Sequence, residues 1–261
     1  MTYVVSAFSG PHSGTALRYS LHMLVLALGT ALSFMQVPCS PSVTPMVVEA
    51  RARADELDLA GAAEWFHFAA EAGCADAAIG AWYLRGLVDA REAFRLGGSP
   101  ESLIPVRQAI ASLEVLGKQR PGAAEIARLT LQAAAAAAQS ERAEMRLYLE
   151  SAMTMDSLQR AAGQTGAPGV AAAEAAGDLW LQVHQYEDAR RAYTAAEAQV
   201  GLTRRVAAGL ARVAARLDDA ASACANYGKL LARWPSGQAE PPDIAEARNY
   251  LARPVCVPAG P

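Results

Sequence analysis

The chain has 261 residues, a net charge of −3, and a composition that is 52% hydrophobic but only 7% aromatic. The near-balanced charge excludes the basic footprint that nucleic-acid binding requires. The apolar fraction rests on alanine rather than on Val, Ile and aromatic residues, which argues against a β-rich domain and for many closely approaching helices; the length suffices for a sizeable core in one elongated array or one to two globular domains.

The first apolar run, Ser20–Val37, follows a weakly basic leader containing Arg18 and ends at the turn-forming PCSPSVTP. A basic start, an apolar centre and small residues describe a secretory signal, and a single membrane span is the neighbouring reading. Ala31-Leu32-Ser33 offers a cleavage site and Cys39 an acylation site, although Gln36-Val37-Pro38 fits the latter pattern poorly. A buried helix of a cytosolic protein is the remaining alternative. Residues 1–40 are therefore assigned to a signal peptide or membrane anchor with a turn-rich linker, which makes the chain exported or membrane-anchored in the cell envelope. Membrane contact is expected only through this segment.

From Thr44 onward, helical patterning dominates, and Thr44-Pro45 reads as a helix start. Val47, Ala50, Ala54 and Leu57 mark a first helix, with Trp65, Phe66 and Ala69 on a second. Breaks are expected at Gly73, Gly86, Gly97-Gly98-Ser99-Pro100, Gly117 to Gly122 and Gly163 to Gly169. Residues 124–155 predict a helix pair, with the alanine run Ala133–Ala138 on its first member and Met145, Leu149 and Ala152 on its second. No stretch alternates at period two for long enough to predict a strand.

The strongest signal is an internal repeat. In 170–203, Ala173, Ala176, Gly177 and Trp180 mark one helix, and Tyr186, Ala189, Tyr193 and Ala196 the next. In 204–237 the order returns, with Ala207, Leu210, Ala211 and Ala214 followed by Ala220, Ala223, Tyr227 and Leu230, closed by Pro235. Small residues at helix crossings let backbones approach, and the tyrosine fills the gap to the next hairpin. This pattern resembles the tetratricopeptide repeat family over about 65 residues. Ala62, Phe66 and Ala69, and Ala77, Ala78, Ala81, Ala90 and Phe94, form weaker copies, and 63–86 also resembles the Sel-like repeat.

The resemblance implies an all-α fold: a right-handed superhelical array of antiparallel helix hairpins spanning 41–252, preceded by the N-terminal segment. A capping helix is predicted over 243–252, with polar residues for its outer face, and a flexible tail over 253–261. In that family the first helix of each hairpin lines a groove. Glu174, Asp178 and Gln182 are thus candidate groove residues from one repeat, and Arg205, Arg212 and Arg216 from the next, the arginines suiting a carboxylate or acidic peptide. The competing reading is that Asp178 and Arg212, one period apart, pair across hairpins.

Cys39, Cys74, Cys224 and Cys256 form no CxxC pair, and His12, His22, His67 and His184 are scattered, so neither a metal site nor a cofactor is expected. His67, among Trp65, Phe66 and Phe68, has no nucleophile at a useful spacing. Cys224 and Cys256 are a candidate disulfide if the capping helix folds back along the last hairpin; otherwise Cys224 is a core residue and Cys256 a free thiol. The expected function is a non-catalytic protein–protein interaction scaffold, with no nucleic-acid partner. A structural or assembly subunit of a larger envelope complex is the alternative, and an all-helical hydrolase a distant third.

Overall fold

A computed structural model describes residues 39–233 and 241–256. The N-terminal segment and Pro235 lie outside the described residues. The fold is all-α, with eleven helices and no strand among the described residues. They are α1 (Thr44–Asp55), α2 (Leu59–Glu71), α3 (Ala75–Arg95), α4 (Ile104–Gly117), α5 (Pro121–Ala138), α6 (Arg142–Ala161), α7 (Ala172–Gln182), α8 (Tyr186–Val200), α9 (Arg204–Arg216), α10 (Ala220–Ala232) and α11 (Pro242–Leu251). The tail expected to be flexible forms a short 3-10 turn at Pro254–Cys256.

Three of the helices, α2, α9 and α10, begin where a short polar side chain occupies the preceding residue. Asp58, Thr203 and Asp219 accept from the backbone N–H of Gly61, Val206 and Ser222, satisfying donors that a helix start leaves open. At the start of α1 the predicted cap is displaced by one: Thr44 is already helical, and its hydroxyl donates to the Ser40 carbonyl. The hairpin turns share one device. Leu57, His184 and Asp218 adopt left-handed backbone, and the next residue's N–H reaches back to Arg53, Trp180 and Ala214. This six-to-one closure is the Schellman arrangement, which satisfies a last-turn carbonyl.

Odd-numbered helices α3, α5, α7 and α9 pack in succession, each on the next odd one. Each of α4, α6, α8 and α10 rests against the two odd-numbered helices flanking it. The result is two layers with the apolar core between them. Helix α5 contacts α3, α4, α6 and α7, and its alanine run is buried on nearly every side. Alanine keeps a helix thin enough to be surrounded in this way.

Gly86, expected to break the chain, instead lies inside α3. Its bare backbone admits the Leu131 side chain, which a Cβ there would meet at 2.4 Å. The same logic governs the clearest repeat. The fully buried Tyr193 ring of α8 lies against Gly177 of α7 and Gly209 of α9, where added Cβ atoms would stand 2.6 and 2.2 Å from ring carbons. Trp180, Ala173, Ala189, Ala196, Ala207, Ala211, Ala223, Tyr227 and Leu230 are all buried as well.

Two disulfides close the ends. Cys224 and Cys256 are bridged, with Cα atoms 5.6 Å apart. Cys39 and Cys74, a pair the sequence spacing did not suggest, are also bridged. The Cys39–Cys74 bridge fastens the segment leading into α1 to the residue that precedes α3.

Tyr193→Ala should cost about 3–5 kcal/mol, the range for emptying a buried aromatic site, measured by denaturant unfolding. Breaking the Cys224–Cys256 bridge, which spans 32 residues, should cost about 3–4 kcal/mol by the chain-entropy relation. Peptide mapping without reductant should recover Cys224 joined to Cys256 and Cys39 joined to Cys74.

Candidate functional site

The polar side chains of the C-terminal half form a seam between hairpins. The Tyr193 hydroxyl donates to Asp178 of α7 at 2.5 Å. Arg205, at the start of α9, donates to the other oxygen of the same carboxylate at 2.5 Å. One period later the trio recurs with its parts rearranged. The Tyr227 hydroxyl of α10 donates to Glu246 of α11 at 2.6 Å, and Arg212 of α9 holds that carboxylate at 2.7 Å. In the first trio the carboxylate belongs to the hairpin's own first helix; in the second it comes from the following helix.

The Asp178–Arg212 pairing anticipated from the period is therefore corrected. Asp178 lies nearer Arg205, and Arg212 turns towards α11, where Glu246 meets it. The capping helix forms as α11, and its Asp243 and Glu246 pair with Arg204 and Arg212 of α9. Arg204 closes on Asp243 with two bonds of 2.8 and 2.6 Å, and both side chains are nearly buried.

Glu174 and Arg205 are likewise not open groove residues, being 6% and 9% exposed. Glu174 accepts from the Ala171 N–H and from the Thr203 hydroxyl, so it ties the start of α7 to the cap of α9. A similar link precedes it: the fully buried Asp156 of α6 accepts from the Ala172 N–H and from Arg160. Carboxylates at helix N-termini satisfy free donors and face the positive end of the helix dipole. Of the candidate groove residues, Gln182 is half-buried and Arg216 exposed.

Burial shapes the protonation of these groups. It pushes the Glu174 carboxyl up despite its hydrogen bonds to Thr203 and Ala171. Burial pushes Glu246 up as well, but hydrogen bonds from Arg212 and Tyr227 outweigh it and hold that carboxyl below its ordinary range. For Arg205, desolvation is overcome by the Asp178 charge, and the guanidinium is held above its ordinary value.

A cleft of about 480 Å³ opens where the first helix meets the last ones. Asp55 and Glu56 at the end of α1 form one wall, and the α8–α9 turn, Leu230, Arg233 and Ile244 form the others. Nothing in the sequence placed Asp55 near Leu230, since 175 residues separate them. His67 is exposed beside Glu71 on α2, and His184 stands in a turn against the Tyr186 hydroxyl. Among the described residues, no group of His, Cys, Asp and Glu is arranged to hold a metal, and no helix is long and apolar enough to cross a membrane. No family model, curated protein or solved structure matches the chain.

What the seam does is fix one hairpin on the next, because its arginines are spent on the chain's own carboxylates. Asp178→Ala should therefore cost more than Arg205→Met. The first leaves a nearly buried guanidinium without its counter-charge, at about 3 kcal/mol, whereas the second removes charge and desolvation together. Urea unfolding of both variants checks the order. Glu174 has a raised folded-state pKa, so its ionised form opposes folding. As pH falls through that pKa towards the ordinary glutamate value, wild type should gain stability relative to Glu174→Gln. Paired unfolding curves across this window test the sign.

Proposed function

We propose that the chain is a tetratricopeptide-like solenoid serving as a non-catalytic protein–protein interaction scaffold in the cell envelope. The observation that carries this reading is the recurrence of the tyrosine–carboxylate–arginine trio at Tyr193 and Tyr227, 34 residues apart. It accompanies odd-numbered helices that pack on one another in succession. Such internal fastening supplies a stiff surface, and a pre-ordered scaffold gives up little conformational freedom when it binds. Its partner is a protein or peptide, met on the side where Gln182 and Arg216 remain accessible. The two disulfides support an extracytoplasmic location, because such bridges persist in oxidising compartments.

A second reading, an assembly subunit of a larger envelope complex, draws on the outer helices. Ile104 and Val115 on α4, and Leu147 and Leu158 on α6, are exposed apolar residues, each pair 11 residues apart. That spacing returns to nearly the same face of a helix. A permanent subunit would bury such stripes against neighbours.

Cross-linking and affinity capture of the full-length chain from its envelope fraction tests the leading reading. A partner is expected whose recovery falls several-fold in Arg216→Glu and in Gln182→Lys. Fractionation of the native chain to the cytosol, or recovery unaffected by both substitutions, would overturn it. Self-association of the purified chain that disappears in Leu147→Ser/Leu158→Ser would favour the assembly subunit.

A further inference from the structure

We propose that the outer face of α4 is a dimer contact, on which a second copy of this chain packs its own α4 antiparallel about a two-fold axis. This goes beyond the scaffold reading, because α4 belongs to the other helix layer from α7 and α9, which carry Gln182 and Arg216. Val106, Ala109 and Leu113 turn one side of α4 into the core. On the opposite side Ile104, Gln108, Ala111 and Val115 recur at helical spacing as one stripe. All four are exposed, Ile104 to 49% and Val115 to 63%. Only Gln108 interrupts the apolar run, and the small Ala111 beside it lets another helix axis come close.

The charges beside the stripe decide what covers it. Arg107 and Glu114 stand two turns apart on the same flank, and Lys118 lies beyond them at the helix end. Neither Arg107 nor Glu114 makes an ion pair among the described residues. Arg107 reaches only the Pro100 carbonyl, at 3.4 Å, and Glu114 acts on Arg128 from a distance while Glu125 holds that guanidinium. The two lie at nearly equal distances either side of Ile110, and so do Ile104 with Val115 and Gln108 with Ala111. A two-fold axis at that level reverses the second helix. It sets Arg107 against Glu114 twice and Ile104 against Val115 twice, the reciprocity that an isologous contact requires. A parallel arrangement would set arginine on arginine and glutamate on glutamate, which electrostatic complementarity disfavours. The stripe on α6 lacks this property: Glu150, flanking Leu147 and Leu158, has Ser157 at the reciprocal position, and Arg146 is held by Asp188. One helix pair buries less than the roughly 800 Å² per partner of a standard interface, so the dimer is expected to be reversible.

Sedimentation of the purified full-length chain over a range of concentrations should show a monomer–dimer equilibrium. Val115→Lys should abolish it, whereas Leu147→Ser/Leu158→Ser should leave it in place. Arg107→Glu and Glu114→Arg should each weaken it about tenfold, because a reversed charge counts twice in a symmetric contact. The double variant Arg107→Glu/Glu114→Arg should restore it. These positions are exposed, so each variant should melt as the wild type does. The native cysteines are all bridged, so a thiol introduced by Ala111→Cys, next to the axis, should link two copies through that residue under mild oxidation, and one introduced by Ala143→Cys on α6 should not. A monomer at every concentration, a dimer that survives Val115→Lys, a double variant that does not recover, or a dimer lost only in Leu147→Ser/Leu158→Ser would overturn the assignment. Capture of a partner through Gln182 and Arg216 stands or falls separately from all of these outcomes.

Discussion

The ring of Tyr193 lies against bare backbone on two helices, Gly177 of α7 and Gly209 of α9, and the C-terminal half is organised around that contact. Alanine-rich helices approach closely but have little lateral shape, so many rotations and slides between them bury similar area. A single large ring filling a slot cut by two glycines removes that freedom, because a slip of one residue would drive it into a Cβ. Phe66 does similar work earlier in the chain, where its ring rests on Gly80 of α3. A few aromatic residues in an alanine background therefore suffice to set how the hairpins stack.

The polar seam adds direction to that packing. Asp156 reaches the start of α7, Glu174 reaches the cap of α9, and Arg204 of α9 reaches Asp243 of α11. Each link is made from one helix to the N-terminal region of a later one, where backbone donors are open. Buried ion pairs contribute little net stability compared with apolar replacements, but breaking one is costly. Their effect is to penalise misregistered stacking, in which a buried carboxylate or guanidinium would be stranded. The cost of correct stacking is small and that of incorrect stacking large.

An array made of similar hairpins has the difficulty that its ends expose what its middle buries. Here the C-terminal end is covered by α11, whose Ile244, Ala247 and Tyr250 complete the core begun by Tyr227, and is fastened by the Cys224–Cys256 bridge. The N-terminal end of the described unit is fastened by Cys39 and Cys74. At both places the covalent link restricts the unfolded chain and so holds the terminal segments to the array.

The helical content, the small-residue crossings and the buried positions of Trp180, Tyr193 and Tyr227 were legible in the sequence. They follow from local rules: alanine propensity, period-3.6 spacing, and an aromatic at a fixed offset within a repeat. The same rules misjudged Gly86, since a glycine inside a helix is indistinguishable in sequence from one ending it until the packing partner, Leu131, is known. The resemblance to tetratricopeptide repeats implied an open groove position for Glu174 and Arg205, which are instead buried, because such a likeness gives the face of a helix but not what covers it. Which carboxylate each arginine meets, the pairing of Cys39 with Cys74, and the convergence of Asp55 with Leu230 and Ile244 were decided only by tertiary structure. Those depend on the rotation and rise accumulated from hairpin to hairpin, a sum of small angles that no single stretch of residues encodes.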